Sequence, residues 1–221
     1  MKNKRRIVTL GLILLLGIGY LYQDNISNIL DNNYLKETYA IDSIPDYSGE
    51  DYVVINNNEP NFTEEDYNNK EDEIYSELDS LGRCGVAFAR VSTKTMPAEE
   101  RGSIGMIKPT GWHTIKYDIV DGKYLYNRCH LIGYQLTGEN ANKKNLITCT
   151  RQMNTKGMLE FENEVADYVK KTNNHVLYRV TPIFEGDNLL SKGVLMEAKS
   201  VEDDGEGVKV NGFCYNRLTK C

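Results

Sequence analysis

Between residues 123 and 162 the apolar residues change their period, and that change constrains the fold more than any other stretch of the chain. Tyr124, Leu125, Tyr126, Leu131 and Ile132 are aromatic or branched and suit a pleated, half-buried surface, so this part reads as a strand with His130 inside it. Residues 138–144, rich in Gly, Asn and Lys, are a loop by composition. From Met153 onward, Met158, Phe161, Val165, Tyr168 and Val169 recur at helical spacing, which predicts a helix over residues 153–172. Asn154 then stands near the start of that helix, and Glu162 lies two turns along roughly the same face. A strand bearing an imidazole, a connection, and a helix bearing an amide and a carboxylate can hold a cation beside a base.

The flanking sequence supplies a sheet for this unit to rest on. Residues 86–91 form a buried-strand run, Asp121-Gly122 suits a tight turn leading into the histidine strand, and residues 175–183 and 193–199 read as two further strands. A central antiparallel sheet with the histidine strand and its helix packed against it is the α+β class. Upstream, residues 24–80 are acidic, poor in large aliphatics, and read as a largely extended tether. Within that tether residues 52–55 suggest a short strand. Residues 63–81 suggest a helix with Tyr67, Ile74, Leu78 and Leu81 facing one way.

At the N-terminus Lys2, Lys4, Arg5 and Arg6 precede an apolar run over residues 7–22. A basic flank stays inside, so residues 1–23 read as a membrane anchor or a cleaved signal segment with the domain, residues 81–221, outside or secreted. The net charge of −6 hides a division. Residues 1–80 carry 6 Lys+Arg against 16 Asp+Glu, whereas residues 81–221 carry 20 against 16. The basic half therefore holds the candidate polyanion contacts, among them Arg101, Lys108, Lys116, Arg128, Lys143, Lys144 and Arg151. Five cysteines in an exported chain invite disulfides, and Cys214 with Cys221 could close a small loop. Alternation points Cys129 away from the face of His130, so it reads as a buried small hydrophobe.

Several ordered motifs carry a resemblance. Asn127-Arg128-Cys129-His130, Asn145-Leu146-Ile147-Thr148 and Asn154 followed by Glu162 are joined by E-R-G-S-I-G at residues 100–105, P-T-G-W at 109–112 and R-V-T-P at 179–182. Together they resemble the DNA/RNA non-specific endonuclease family, nearest the bacterial branch concerned with DNA uptake, over roughly residues 80–200. The family's commonest strand motif is D-R-G-H; this chain has Asn127 and Cys129 in the acidic and glycine positions.

The resemblance implies a ββα-metal (His-Me finger) catalytic unit that hydrolyses phosphodiester bonds of DNA, leaving 5′-phosphate ends, with RNA left open as a second substrate. It implies His130 as general base and one Mg²⁺, for which Mn²⁺ could substitute, held by Asn154 and waters. Glu162 would accept hydrogen bonds from those waters. Arg101 would stabilise charge on the phosphorane, with Arg128 anchoring either phosphate or the site itself. Asn127 and Asn145 would support the local geometry. Imidazole suits a base near neutral pH, and contacts to phosphate and sugar carry no direct base information, in keeping with loose sequence preference. The alternative is a non-catalytic exported module on the same fold that binds nucleic acid or the envelope. No motif names an inhibitor or uptake machinery as partner. His113 and His175 read as ordinary residues.

Overall fold

The computed structural model describes residues 44–218, all within one compact unit. The segment expected to be an anchor or signal, and the first part of the expected tether, lie outside them. Among the described residues no helix is long and apolar enough to cross a membrane.

Among the described residues, eight strands and three α-helices are arranged in two layers. The strands are β1 (Tyr52–Val54), β2 (Glu73–Tyr75), β3 (Ala87–Val91), β4 (Tyr126–His130), β5 (Leu146–Thr150), β6 (Val176–Ile183), β7 (Gly193–Ser200) and β8 (Lys209–Tyr215). The helices are α1 (Glu64–Asn68), α2 (Tyr134–Thr137) and α3 (Leu159–Thr172), the last preceded by a wider π-type turn over Met153–Met158. Six strands form an antiparallel sheet in the order β1-β8-β7-β6-β3-β2, and β4 and β5 form a separate antiparallel pair.

Strand alternation divides the large sheet into two faces. Ala89, Tyr178, Ala198 and Val210 stand opposite one another across four strands and point into the main core, where Met153, Met158, Phe161, Val165 and Val169 of the helical layer meet them. Leu195, Phe213 and Tyr215 point the other way and are covered by Ile44 and Tyr47. Helix α3 can lie close on the sheet because Gly157 lacks a side chain: a Cβ there would come within 3.2 Å of the Cβ of Cys214. The helix stops at Asn173, whose left-handed backbone (φ 60°) turns its amide back to Val169.

Three elements differ from the sequence expectation, the first being β5, which was not read as a strand between the loop and the helix. The helix expected over residues 63–81 is only α1, because Ile74 and its neighbours pair with β3 instead and become an edge strand. Strand β8 was not expected at all, since Asn211 and Gly212 interrupt its apolar pattern. Gly212 nevertheless leaves room for the ring of Phe161. The sheet also takes in residues upstream of Leu81: β1 pairs with β8, and β2 pairs with β3.

Arg179 and Glu197, buried on the outer face, fasten that upstream segment. Arg179 Nε donates to Glu197 Oε2 at 2.8 Å, its Nη2 donates to the carbonyl of Asn61, and Asp66 lies 3.5 Å from Nη1. Glu197 Oε1 in turn accepts from the amide of Asn61.

Candidate active site

His130 is the last residue of β4 and is paired with Leu146 of β5. Its ring is buried between the strand and the residue 99–111 loop, and it has two polar neighbours. Nε2 lies 2.7 Å from the carbonyl oxygen of Asn140, and Nδ1 lies 3.1 Å from Arg101 Nη2. A carbonyl can only accept, so Nε2 carries the proton in the neutral ring and Nδ1 presents its lone pair. Burial pushes the imidazole down to about 4, and the Arg101 charge adds to that against the opposing pull of the Asn140 carbonyl. The ring is therefore neutral at pH 7, with its basic nitrogen covered by a guanidinium.

Asn145 sets where the strand ends. It is fully buried; its side-chain oxygen accepts from the Ile132 amide at 2.8 Å, and its side-chain nitrogen donates to the Ile132 carbonyl at 3.0 Å. With the bond from the Leu131 amide to its own carbonyl, the side chain extends the ladder past His130 as a further strand residue would. Arg128, two residues before His130 on the same face, is spent on the neighbouring loop. Nη2 donates to the Gly105 carbonyl at 3.0 Å, Nε donates to that of Ile107, and the guanidinium lies 3.9 Å over the ring of Trp112. In this arrangement Arg128 holds the loop that carries Arg101.

Glu162 projects from the first turn of α3 toward Gly133. A Cβ on Gly133 would lie 2.5 Å from Glu162 Oε2, so the absence of a side chain there is what admits the carboxylate. The side chain keeps some exposure, but its acidic end is turned inward. Burial drives it up to about 8 despite a hydrogen bond from Gln135 and the charge of Arg101. Asn154 sits in the wider turn, half-buried, and its amide makes no hydrogen bond with any described residue. In an unbroken α-helix, eight residues would leave Asn154 and Glu162 about 80° apart. A π turn advances less per residue and takes back part of that angle; such turns are frequent at functional sites.

Among the described residues no group of three His, Cys, Asp or Glu side chains could hold a metal. A partnerless amide oxygen and one carboxylate that burial keeps protonated are a sparse oxygen set. That set fits a hard, largely hydrated cation such as Mg²⁺.

Asn127 lies half-buried on the opposite face of β4 from His130. Cys129, on that same face, is buried as expected, but it is not a free hydrophobe: it forms a disulfide with Cys149 across the β4–β5 pair, with Cα atoms 5.9 Å apart. Cys214 is buried and unpaired, and Cys221 lies outside the described residues. Of the basic candidates, Lys144 pairs with Glu77 and Arg151 with Asp121, while Lys116 lies over the ring of Tyr124. His175 Nδ1 lies 2.6 Å from Glu202 Oε1.

Two contributors were not read from the sequence. Asn140 acts through its main-chain carbonyl, which has no side-chain signature. Gly133 acts through what it lacks; its place three residues after His130 is the only signal it leaves.

The chain is also similar to known proteins. The profile of the DNA/RNA non-specific endonuclease family matches residues 63–202. Comparison with curated proteins found no match. Among solved structures, NucA from Streptococcus agalactiae with no metal bound is 26% identical, with TM-score 0.68 and 89% of each chain covered. The same protein with magnesium ion bound gives 26% identity, TM-score 0.69, and coverage of 85% of this chain and 90% of that one. Sda1 nuclease with bound zinc ion, at 24% identity and TM-score 0.59, covers 77% of this chain and 92% of its own and shares the fold.

Proposed function

The chain belongs to the DNA/RNA non-specific endonuclease family, and from that premise we propose that His130 Nδ1 is the general base for its phosphodiester hydrolysis. The chain is a DNA/RNA endonuclease, and the non-catalytic alternative is set aside. The observation that carries the mechanism is the pair of contacts on one ring. The Asn140 carbonyl fixes the tautomer, and Arg101 occupies the direction from which a proton would arrive.

A phosphate diester brings negative charge to that position and draws the Arg101 guanidinium onto its oxygens, as charge-assisted hydrogen bonds favour. Nδ1 is then free to take a proton from a water placed in line with the scissile bond. Arg101 stabilises the charge that grows on the phosphorane, and Arg128 keeps the Arg101 loop in place through Gly105 and Ile107. Asn154 and, through waters, Glu162 would hold Mg²⁺, with Mn²⁺ able to replace it. When bound, that ion neutralises phosphate charge and stabilises the departing 3′ oxygen, so that 5′-phosphate ends result. The Mg²⁺-bound form of NucA supports this choice of ion.

His130→Ala should lower plasmid cleavage by about 10³-fold while DNA binding persists, and chelation should abolish cleavage by the wild type. Cleavage by His130→Ala at the wild-type rate would remove the base from the mechanism, and cleavage in excess chelator would remove the ion. We also read residues 1–23 as an anchor or signal that places the enzyme outside the membrane. The Cys129–Cys149 disulfide supports an oxidising destination. Mass spectrometry of the exported chain tests this, and retention of the whole chain in the cytoplasm would contradict it.

A further inference from the structure

The strand face that carries His130 continues past the catalytic residues. Side chains alternate along β4, so Tyr126, Arg128 and His130 share one face, and at about 3.3 Å per residue the first lies about 13 Å from the last. At the Tyr126 end a cavity of about 690 Å³ opens, with His113, Lys192 and Arg217 in its wall beside Tyr126. The stack of Arg128 on Trp112 bridges the two regions, since Gly111 and His113, the neighbours of Trp112, both line the cavity. His130, Arg128 and the cavity therefore follow one another in a single band.

The wall is tied together by Asn216. Its side-chain oxygen accepts from the Thr150 amide at 2.7 Å, and its side-chain nitrogen donates to the carbonyls of Ser191 and Thr148. Ser191, also in the wall, is 5% exposed, and its hydroxyl has no hydrogen-bond partner. An unpartnered hydroxyl is costly to leave unmet, and an ordered water or an occupant of the cavity would satisfy it. Lys192 and Arg217 make no ion pair among the described residues.

We propose that this cavity is a subsite for a nucleotide of the substrate strand, flanking the scissile phosphate. A strand advances about 3.4 Å per nucleotide along a duplex axis and more when pulled straight, so the subsite lies within about four nucleotides of the cut. Lys192 and Arg217 meet phosphate, the Tyr126 ring meets a base, and the carboxylates of Asp46 and Glu185, on the same wall, accept from base amino groups. His113 thus belongs to substrate binding. The proposal rests on the nuclease reading above.

The test uses the full chain with single-stranded oligonucleotides that hold one cleavable bond and are lengthened a nucleotide at a time on either side. For the wild type, KM should fall about ten-fold as the strand reaches the cavity from one side, with kcat little changed. Arg217→Glu, an exposed substitution, and Lys192→Ala should each flatten that dependence, leaving KM nearly the same for long and short strands. Anisotropy of the same labelled strands on the His130→Ala background reads the subsite without cleavage, and should lose its length dependence with the same two substitutions. Wild-type length dependence in both variants, or equal loss for short and long strands, would overturn the subsite. Failure of the wild type to cleave any strand would instead overturn the nuclease mechanism, and the binding arm would still report on the cavity.

Discussion

His130 and Glu162 pull stability in opposite directions as pH changes. The folded imidazole titrates near 4 rather than at its ordinary 6.5. The unfolded chain therefore takes up that proton first, and the stability tied to neutral His130 is full above pH 6.5 and lost as pH falls toward 4. Glu162 titrates near 8 rather than 4.5, so its contribution is full below 4.5 and lost as pH rises toward 8. A cation beside the carboxylate offsets the second loss. Mg²⁺ should therefore raise the unfolding temperature by about 3 °C or more at pH 8.5, by much less at pH 5.5, and equally at both in Glu162→Gln. Scanning fluorimetry reads this directly, and an equal rise in the wild type at both pH values would contradict it. At this scale the sequence displayed side chains but not main-chain partners. His130, Arg101 and Glu162 were visible in it as residue types, but the Asn140 carbonyl that orients the ring was not, because any residue would supply one.

Strand β4 and helix α3 were the most legible elements, since the change of period between them is local to the chain, whereas β5, which joins them, was not read as a strand. The disulfide was not legible. Cys129 and Cys149 are 20 residues apart, and only the antiparallel register brings two core-facing sulfurs together, while five cysteines permit many pairings. Closing a loop of that length contributes about 3 kcal/mol. Replacing both cysteines by serine should then lower the unfolding temperature by about 6–12 °C. Cleavage at 25 °C should survive, because the cysteines face away from His130. Loss of activity with no thermal shift would show that the bridge serves the centre and not the fold. Ile74 illustrates the opposite failure: its helical spacing was real, but pairing with Phe88 of β3 prevailed over it. Long-range strand pairing is the term that a local pattern omits.

At the scale of the whole molecule, the acidic segment before Leu81 supplies both edges of the large sheet, which charge and composition concealed. Cutting the chain at residue 81 would leave the outer edges of β8 and β3 unpaired and Arg179 and Glu197 without Asn61 and Asp66. A fragment of residues 81–221 should therefore melt well below one of residues 44–221, or aggregate, as circular dichroism and gel filtration would reveal. Equal melting of the two fragments would return the upstream residues to the role of a spacer. The pairing of β1 with β8 joins Val53 to Phe213, and on that same late strand α3 rests on Gly212 through Phe161 while the turn before it rests on Cys214 through Gly157. The platform beneath helix α3 is thus incomplete until residue 215 has left the ribosome. A nascent chain therefore lacks the support beneath α3, and with it the ordered surroundings of Glu162, until its late strand can pair.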